Sequence, residues 1–385
     1  MRLLPGRTAG RTAGRDAGRR QEEVVGASLT LALLRRPPRA LWDDVVLALA
    51  DGDVRVACAA PAVLAEAGPA VAAHGDRLAA FLERREEVEA WAGDTPTTHV
   101  LLSLAGIGDR RATGPLRHRL SAGISLLLHR RHAPTLRGLP AGDLLPALPA
   151  ALRRGPHPLV LELLRGMGAA AAPVVPDLLP LLATDHAREA CEVLGGIGPS
   201  AAPAAGALAD LARGSRLPPR CGSPRTRWHG LQTAAWAHWR VTGDPGHALR
   251  VIGTAVRAGL GHPVLRYVGD LGPLADRYAH DLLPLLDAPG AFTRVEAAHA
   301  WWRVTGDPGP AVPVLIRELA PLRAGLLPPS SARAVRHLGA IGEPAAAAAP
   351  ELGRVLAAER RNGRGILEDE ALCRSLTTAL AATGR

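Results

Sequence analysis

Two tryptophan–arginine pairs, Trp239/Arg240 and Trp302/Arg303, are the residues of this chain whose types and spacing best suit holding a ligand. An indole face beside a guanidinium offers stacking and cation–π contact to a peptide or to nucleic-acid bases. The competing use is structural, with each Trp filling a groove between neighbouring helices. A second feature is the stretch 110–161, which has nine arginines, among them Arg130, Arg131, Arg153 and Arg154, and one acid, Asp143. Clustered on one region, these would create a sustained positive field for an anionic partner; scattered, they are a solvated outer face. A third is the stretch 213–228, with Arg213, Arg216, Arg220, Arg225 and Arg227, then Trp228, and no acid. Its Pro and Gly content predicts a loop inserted between two helices, and such insertions commonly carry binding.

Metal and nucleophile chemistry are poorly represented. His129-Arg-Arg-His132 would place two imidazoles on one helical face, but no Cys, Asp or Glu nearby completes a set and the arginines repel a cation. Cys221 is only loosely associated with His229 and His238, and His238 reads as a hydrogen-bonded core histidine. No H-E-x-x-H, G-x-S-x-G, P-loop or dinucleotide fingerprint occurs. Glu83, Glu86, Glu87 and Glu89 share a segment with Arg84 and Arg85, which predicts a solvated, internally paired helix. The expectation is therefore no catalytic residue, no metal and no cofactor.

The elements that must position these residues show in a repeat. Trp-Arg-Val-Thr-Gly-Asp-Pro-Gly occurs at 239–246 and at 302–309, 63 residues apart, or two units of roughly 30–36 residues. Leu104-Ala-Gly-Ile-Gly108, Leu164-Arg-Gly-Met-Gly168, Leu194-Gly-Gly-Ile-Gly198, Val268-Gly-Asp-Leu-Gly272 and Leu338-Gly-Ala-Ile-Gly342 put Gly where helix C-caps need it. Aligned, they give an apolar column (Leu104, Leu164, Leu194, His238, Val268, Trp301, Leu338) expected in the core. The next column (Ala105, Arg165, Gly195, Trp239, Gly269, Trp302, Gly339) accepts Arg, Gly and Trp, so it is expected to be partly exposed. Asp-Leu-Leu-Pro-x-Leu, at 143–148, 177–182 and 281–286, opens the helices that follow unit ends.

Apolar residues make up 47% of the 385 but aromatics only 3%, so the core must be built of Ala, Leu and Val, which suits close helix–helix packing. Lysine is absent and the net charge is +10. Half of that charge lies in residues 1–20, where six arginines face one acid, Asp16. The Gly at every fourth position of this N-terminal repeat predicts a disordered tail over 1–22, either a basic arm or a gene start extended past the folded protein. Four scattered cysteines without a C-x-x-C pair point to a reducing, cytoplasmic setting. No uninterrupted apolar run reaches the ~20 residues of a membrane span.

Asp51-Gly-Asp-Val-Arg-Val-Ala-Cys-Ala-Ala, closed by Gly68-Pro69, resembles the HEAT repeat in its short bacterial form, often labelled PBS-lyase-like. The resemblance covers about residues 40–385 and is weakest at 110–140. It implies an all-α, right-handed superhelical solenoid of about nine or ten helix pairs over 23–385, with Trp239, Arg240, Trp302 and Arg303 on the concave side. The implied role is a non-enzymatic scaffold whose partner is another protein, with nucleic acid as the alternative and no membrane. HEAT-like DNA glycosylases are similar at the level of fold only, and a bilin lyase role is implied only by the label of the repeat. A purely structural module of a larger signalling protein is a further alternative.

Overall fold

The computed structural model describes residues 6–123, 128–214, 224–258, 262–363 and 365–384, with the side chains of 6–14, 224–227 and 262 outside that description. The chain is all-α. Among the described residues the only β feature is one isolated antiparallel bridge, Leu34 with Arg360. The helices divide into two compact units rather than one run over 23–385: residues 1–151 with 359–368, and residues 152–358 with 369–385.

In the first unit, helix α1 (Gly6–Leu33) takes in the glycine-rich repeat expected to be disordered and runs on through residues 22 and 23 without a break. The Ala and Arg between the glycines are good helix formers. Arg20 further ties the helix down, donating to both carboxylate oxygens of Asp51 at 2.8 and 3.2 Å. α2 (Arg39–Leu47) packs on α1, and α3 (Gly75–Glu83) on α4 (Thr95–Gly106). Leu31, Val45, Leu49, Leu64, Leu78 and Phe81 are buried in their core. α5 (Thr113–Ala122) follows. In the stretch that carries the repeat resemblance, Asp53 caps a single helical turn (Val54–Ala57) by accepting the Arg55 N–H at 3.0 Å, and it also pairs with the Arg55 guanidinium. The acidic segment behaves as its charges predict, with Arg84–Glu87 and Arg85–Glu89 ion pairs.

A strap from the far end of the sequence completes this unit. The Arg35 N–H donates to Glu359 O, and the Arg361 N–H to Leu33 O, both at 2.9 Å. The Arg35 guanidinium donates to Asn362 Oδ1 at 2.6 Å, and the Ile366 N–H to the Glu66 carboxylate at 2.9 Å.

In the second unit, α6 (Pro158–Met167), α7 (Ala187–Ile197), α9 (Pro224–Thr242), α11 (His262–Leu271), α12 (Ala291–Thr305) and α14 (Pro329–Ile341) lie side by side, each packed on the next. α8 (Ala205–Arg213) and α10 (Gly246–Arg257) cover α9, and α13 (Ala311–Arg317) covers α12 and α14. α15 (Ala349–Ala357) and α16 (Ile366–Thr383) end the chain.

The two copies of the eight-residue repeat form the same helix stop. Gly243 and Gly306 turn the chain at φ 80° and 75°. Thr242 and Thr305 then accept the N–H groups of Asp244 and Asp307, both at 3.1 Å. The Asp carboxylates in turn accept the N–H groups of Gly246 and Gly309 at 2.9 and 2.8 Å. The three Asp-Leu-Leu-Pro echoes are not full helices: each is a four-residue α-turn running into a 3-10 turn. Pro146, Pro180 and Pro284 have no N–H to continue an α ladder and crowd the preceding turn.

The stretch 158–183 is long and apolar enough, by length and composition, to cross a membrane. It is not one rod, because α6 ends at Gly168, whose φ of 54° turns the chain into a 3-10 segment. Each straight piece is thus well short of the ~20 helical residues a span requires.

Candidate functional site

The apolar column is buried at Leu104, Leu164, Leu194, His238, Val268 and Leu338, and half-buried at Trp301. In the neighbouring column Arg165 is exposed, Trp239 and Trp302 are half-buried, and Ala105, Gly195 and Gly269 are buried beneath other side chains. His238 is a core residue, set edge-on to His247 with ring centroids 5.0 Å apart, but its Nδ1 has no hydrogen-bond partner among the described residues.

Both Trp–Arg pairs take the same geometry. The Arg240 guanidinium stands 5.9 Å from the Trp239 ring centroid and donates from Nε to Gly195 O on α7 at 3.5 Å. Arg303 stands 5.8 Å from Trp302 and donates to Gly269 O on α11 at 3.3 Å. Each arginine therefore links its own helix to an earlier one while its indole stays half open.

One helical turn earlier lie the residues that fill the notches. Trp236 lies on Gly195, where an added Cβ would sit 2.4 Å from the ring. The residue 63 positions on, His299, lies on Gly269, with its Nδ1 3.0 Å from where a Cβ would be. This equivalence follows from the 63-residue spacing of the repeat.

From these notches a mixed-charge strip extends over α7, α11, α12 and α14. The Trp236 indole N–H donates to Asp270 at 3.0 Å, and Arg266 sits over the rings of both Trp236 and Tyr267 at 5.8 and 4.8 Å. Glu192 lies 3.7 Å from Arg266 and 3.6 Å from Arg188. Desolvation raises the Asp270 carboxyl above its ordinary range although the residue reaches solvent, while Arg266 and the Trp236 hydrogen bond act the other way. Glu296 is 1% exposed and takes a hydrogen bond from Arg333.

In the arginine-rich region 110–161, at least four of the nine arginines meet acids. Arg110 pairs with Asp143, Arg111 with Asp109 and Asp76, Arg119 with Glu89 and Asp94, and Arg153 with Asp177. Arg117 donates to the Asp143 carbonyl. Arg130 is exposed, Arg131 reaches His132 Nε2 at 3.3 Å, and Arg154 is exposed with a partner of its own. His129 and His132 do not share a helical face. His129 is extended at the start of a 3-10 turn, and its N–H donates to His132 Nδ1 at 3.1 Å.

Arg213 pairs with Asp210. Arg216, Arg220 and Cys221 lie outside the described residues. Residues 224–228 of the loop expected over 213–228 are helical, because α9 begins at Pro224; this places Arg225, Arg227 and a half-buried Trp228 in its first turns. Pro is favourable at a helix start, which the composition of the stretch concealed.

One basic cluster has no acid to satisfy it among the described residues. Arg250 and Arg257 on α10 and Arg277 beyond α11 line an open cavity of about 510 Å³ with Thr254 and Tyr278. Arg257 and Arg277 stand 5.7 and 5.0 Å from the Tyr278 ring, and the Tyr278 hydroxyl donates to Leu249 O at 2.6 Å. None of the three guanidiniums has a carboxylate partner among the described residues. They come from segments separated in sequence, so no local run announced them. Such a notch can take a carboxylate or phosphate on its forks and an apolar or planar group against Tyr278.

No protein-family model matches the chain, and no curated protein matches it.

Proposed function

We propose that this chain is a non-enzymatic, cytoplasmic scaffold of HEAT-like helix pairs, about nine or ten in a right-handed superhelix, that binds an acidic segment of another protein. The observation that carries the proposal is the notch of Arg250, Arg257 and Arg277 around Tyr278, whose cations lack acids of their own among the described residues. Elsewhere in the described chain arginine is commonly matched to Asp or Glu, so an unmatched triad has a partner's carboxylates to gain. Trp239 and Trp302, half open beside Arg240 and Arg303, are second anchoring points for the same partner.

A protein partner is favoured over nucleic acid by the strip on α7, α11, α12 and α14. Glu192, Asp270 and Glu296 alternate there with Arg188, Arg266 and Arg333. A duplex needs a more uniformly positive track.

The test is fluorescence anisotropy with a labelled Glu/Asp-rich peptide, a short DNA duplex and a single strand, each titrated with the full chain at several salt concentrations. The proposal expects peptide binding that weakens in Arg250→Ala, Arg257→Ala and Arg277→Ala. Duplex binding with a steep salt slope and no peptide binding would replace it with the nucleic-acid reading. Binding of neither would remove the notch as a docking point.

A further inference from the structure

Glu296 and His299 stand three residues apart on α12, and His337 comes from α14, which packs beside it. One ligating atom from each lies within 4.8 Å of the other two. The two imidazoles stack, with centroids 3.8 Å apart and planes 14° from parallel. Glu296 Oε2, His299 Nδ1 and His337 Nε2 are all buried without a hydrogen-bond partner among the described residues. Arg333 engages only the other carboxylate oxygen, Oε1. Buried polar atoms are nearly always satisfied, and three orphans meeting at one place ask for a common partner.

We infer that Glu296, His299 and His337 form a divalent-metal site suited to zinc, completed by an anionic fourth ligand. Two imidazoles and one carboxylate, with no thiolate, are a donor set zinc accepts readily. Tetrahedral zinc holds such ligands at ~2.0–2.2 Å and hence about 3.3 Å from one another. A trio already within 4.8 Å reaches that once one imidazole turns out of the stack, because a ligated metal lies in the plane of each ring. Only neutral imidazole can ligate, and both rings are kept neutral. Burial, then the charges of Arg303 and Arg333, holds His299 at about 4. Burial, then His299, Arg333 and Arg336, holds His337 at about 2.

The same arginines specify the fourth ligand. Bare Zn²⁺ beside three guanidiniums would be repelled, whereas a carboxylate, phosphate or hydroxide in the open position lowers the excess positive charge. Gly269 contributes space, since a Cβ there would stand 3.0 Å from His299 Nδ1.

The experiment is a Co²⁺ titration of the metal-stripped full chain, followed by its visible absorption, then displacement with Zn²⁺. The expected result is one Co²⁺ per chain with the intense bands of four-coordinate cobalt, shifted by added phosphate and abolished by Zn²⁺. Glu296→Gln, His299→Ala and His337→Ala should each weaken binding at least tenfold. Glu296→Gln keeps the shape and the Arg333 hydrogen bond, so circular dichroism can show it folded even where the alanine variants fail. No cobalt bands for the native chain, or undiminished binding by folded Glu296→Gln, would overturn the site.

Discussion

The Trp236 indole lies on Gly195 so closely that a methyl group on that α-carbon would fall 2.4 Å from Cζ3 of the ring. Replacing Gly195 with Ala gains up to ~1 kcal/mol of helix propensity but forces a rigid side chain out of a packed joint, which costs ~1–3 kcal/mol or more. A net loss is expected as a lower urea midpoint with an unchanged slope. Trp236→Leu, which removes the ring, should make the Gly195→Ala change far less harmful, a non-additivity expected of touching residues.

Trp236 also holds Asp270. Trp236→Phe keeps most of the packing but removes the 3.0 Å hydrogen bond, at a cost of ~0.5–1.5 kcal/mol. That bond is one of the influences holding the Asp270 carboxyl down against desolvation, so its loss should move the Asp270 titration further upward. A carboxyl-carbon NMR titration reads this directly.

Arg240 and Arg303 should behave as a matched pair of ties. Alanine at either breaks a link to Gly195 O or Gly269 O and a cation–π contact, for ~1–2 kcal/mol each. Lysine should rescue little, because it lacks the planar Nε–H donor. Thermal melts of the four variants test both statements.

The acid limb of stability of the metal-free chain should carry the signature of His299 and His337. Both have folded-state pKa values, about 4 and about 2, below the ~6.5 of an exposed imidazole. The unfolded chain therefore binds more protons, and stability present above pH ~6.5 is lost as the pH falls toward 4 and below. His337→Gln should flatten the drop in melting temperature between pH 7 and pH 4.5 relative to the native chain.

Asn362 is 1% exposed and accepts the Arg35 guanidinium at 2.6 Å. Asn362→Ala removes one buried hydrogen bond to that cation inside the first unit and should cost ~0.5–1.5 kcal/mol. Proteolysis should then begin in the first unit before the second.

The helical class and the helix stops were legible because they rest on local rules. The 63-residue echo reproduces the same Thr and Asp hydrogen bonds in both copies, and the Leu and Val of the aligned column are buried as their periodicity requires. Composition alone does not show that residues 6–22 join α1, where Arg20 ties the helix to Asp51, 31 residues on. The same limit hid the sites. Glu296-Ala-Ala-His299 is contiguous in the sequence, but the third member of the trio, His337, comes from another helix. Arg250, Arg257 and Arg277 likewise gather only when α10 meets the turn after α11. Proline inside the Asp-Leu-Leu-Pro echoes is readable from the sequence as a helix breaker.

The strap of residues 359–368 sets the order in which the protein can be made. Residues 1–151 leave the ribosome long before the segment that pairs with Arg35 and Glu66 exists, so the first half of the chain waits, incomplete, while the second unit is synthesised. Closing a loop of more than 300 residues adds only slowly growing entropy at equilibrium, but it delays the contact until translation is nearly over. A ribosome stalled before residue 359 would therefore present a nascent chain whose N-terminal unit is protease-sensitive, and release of the last stretch would make it resistant in a single step.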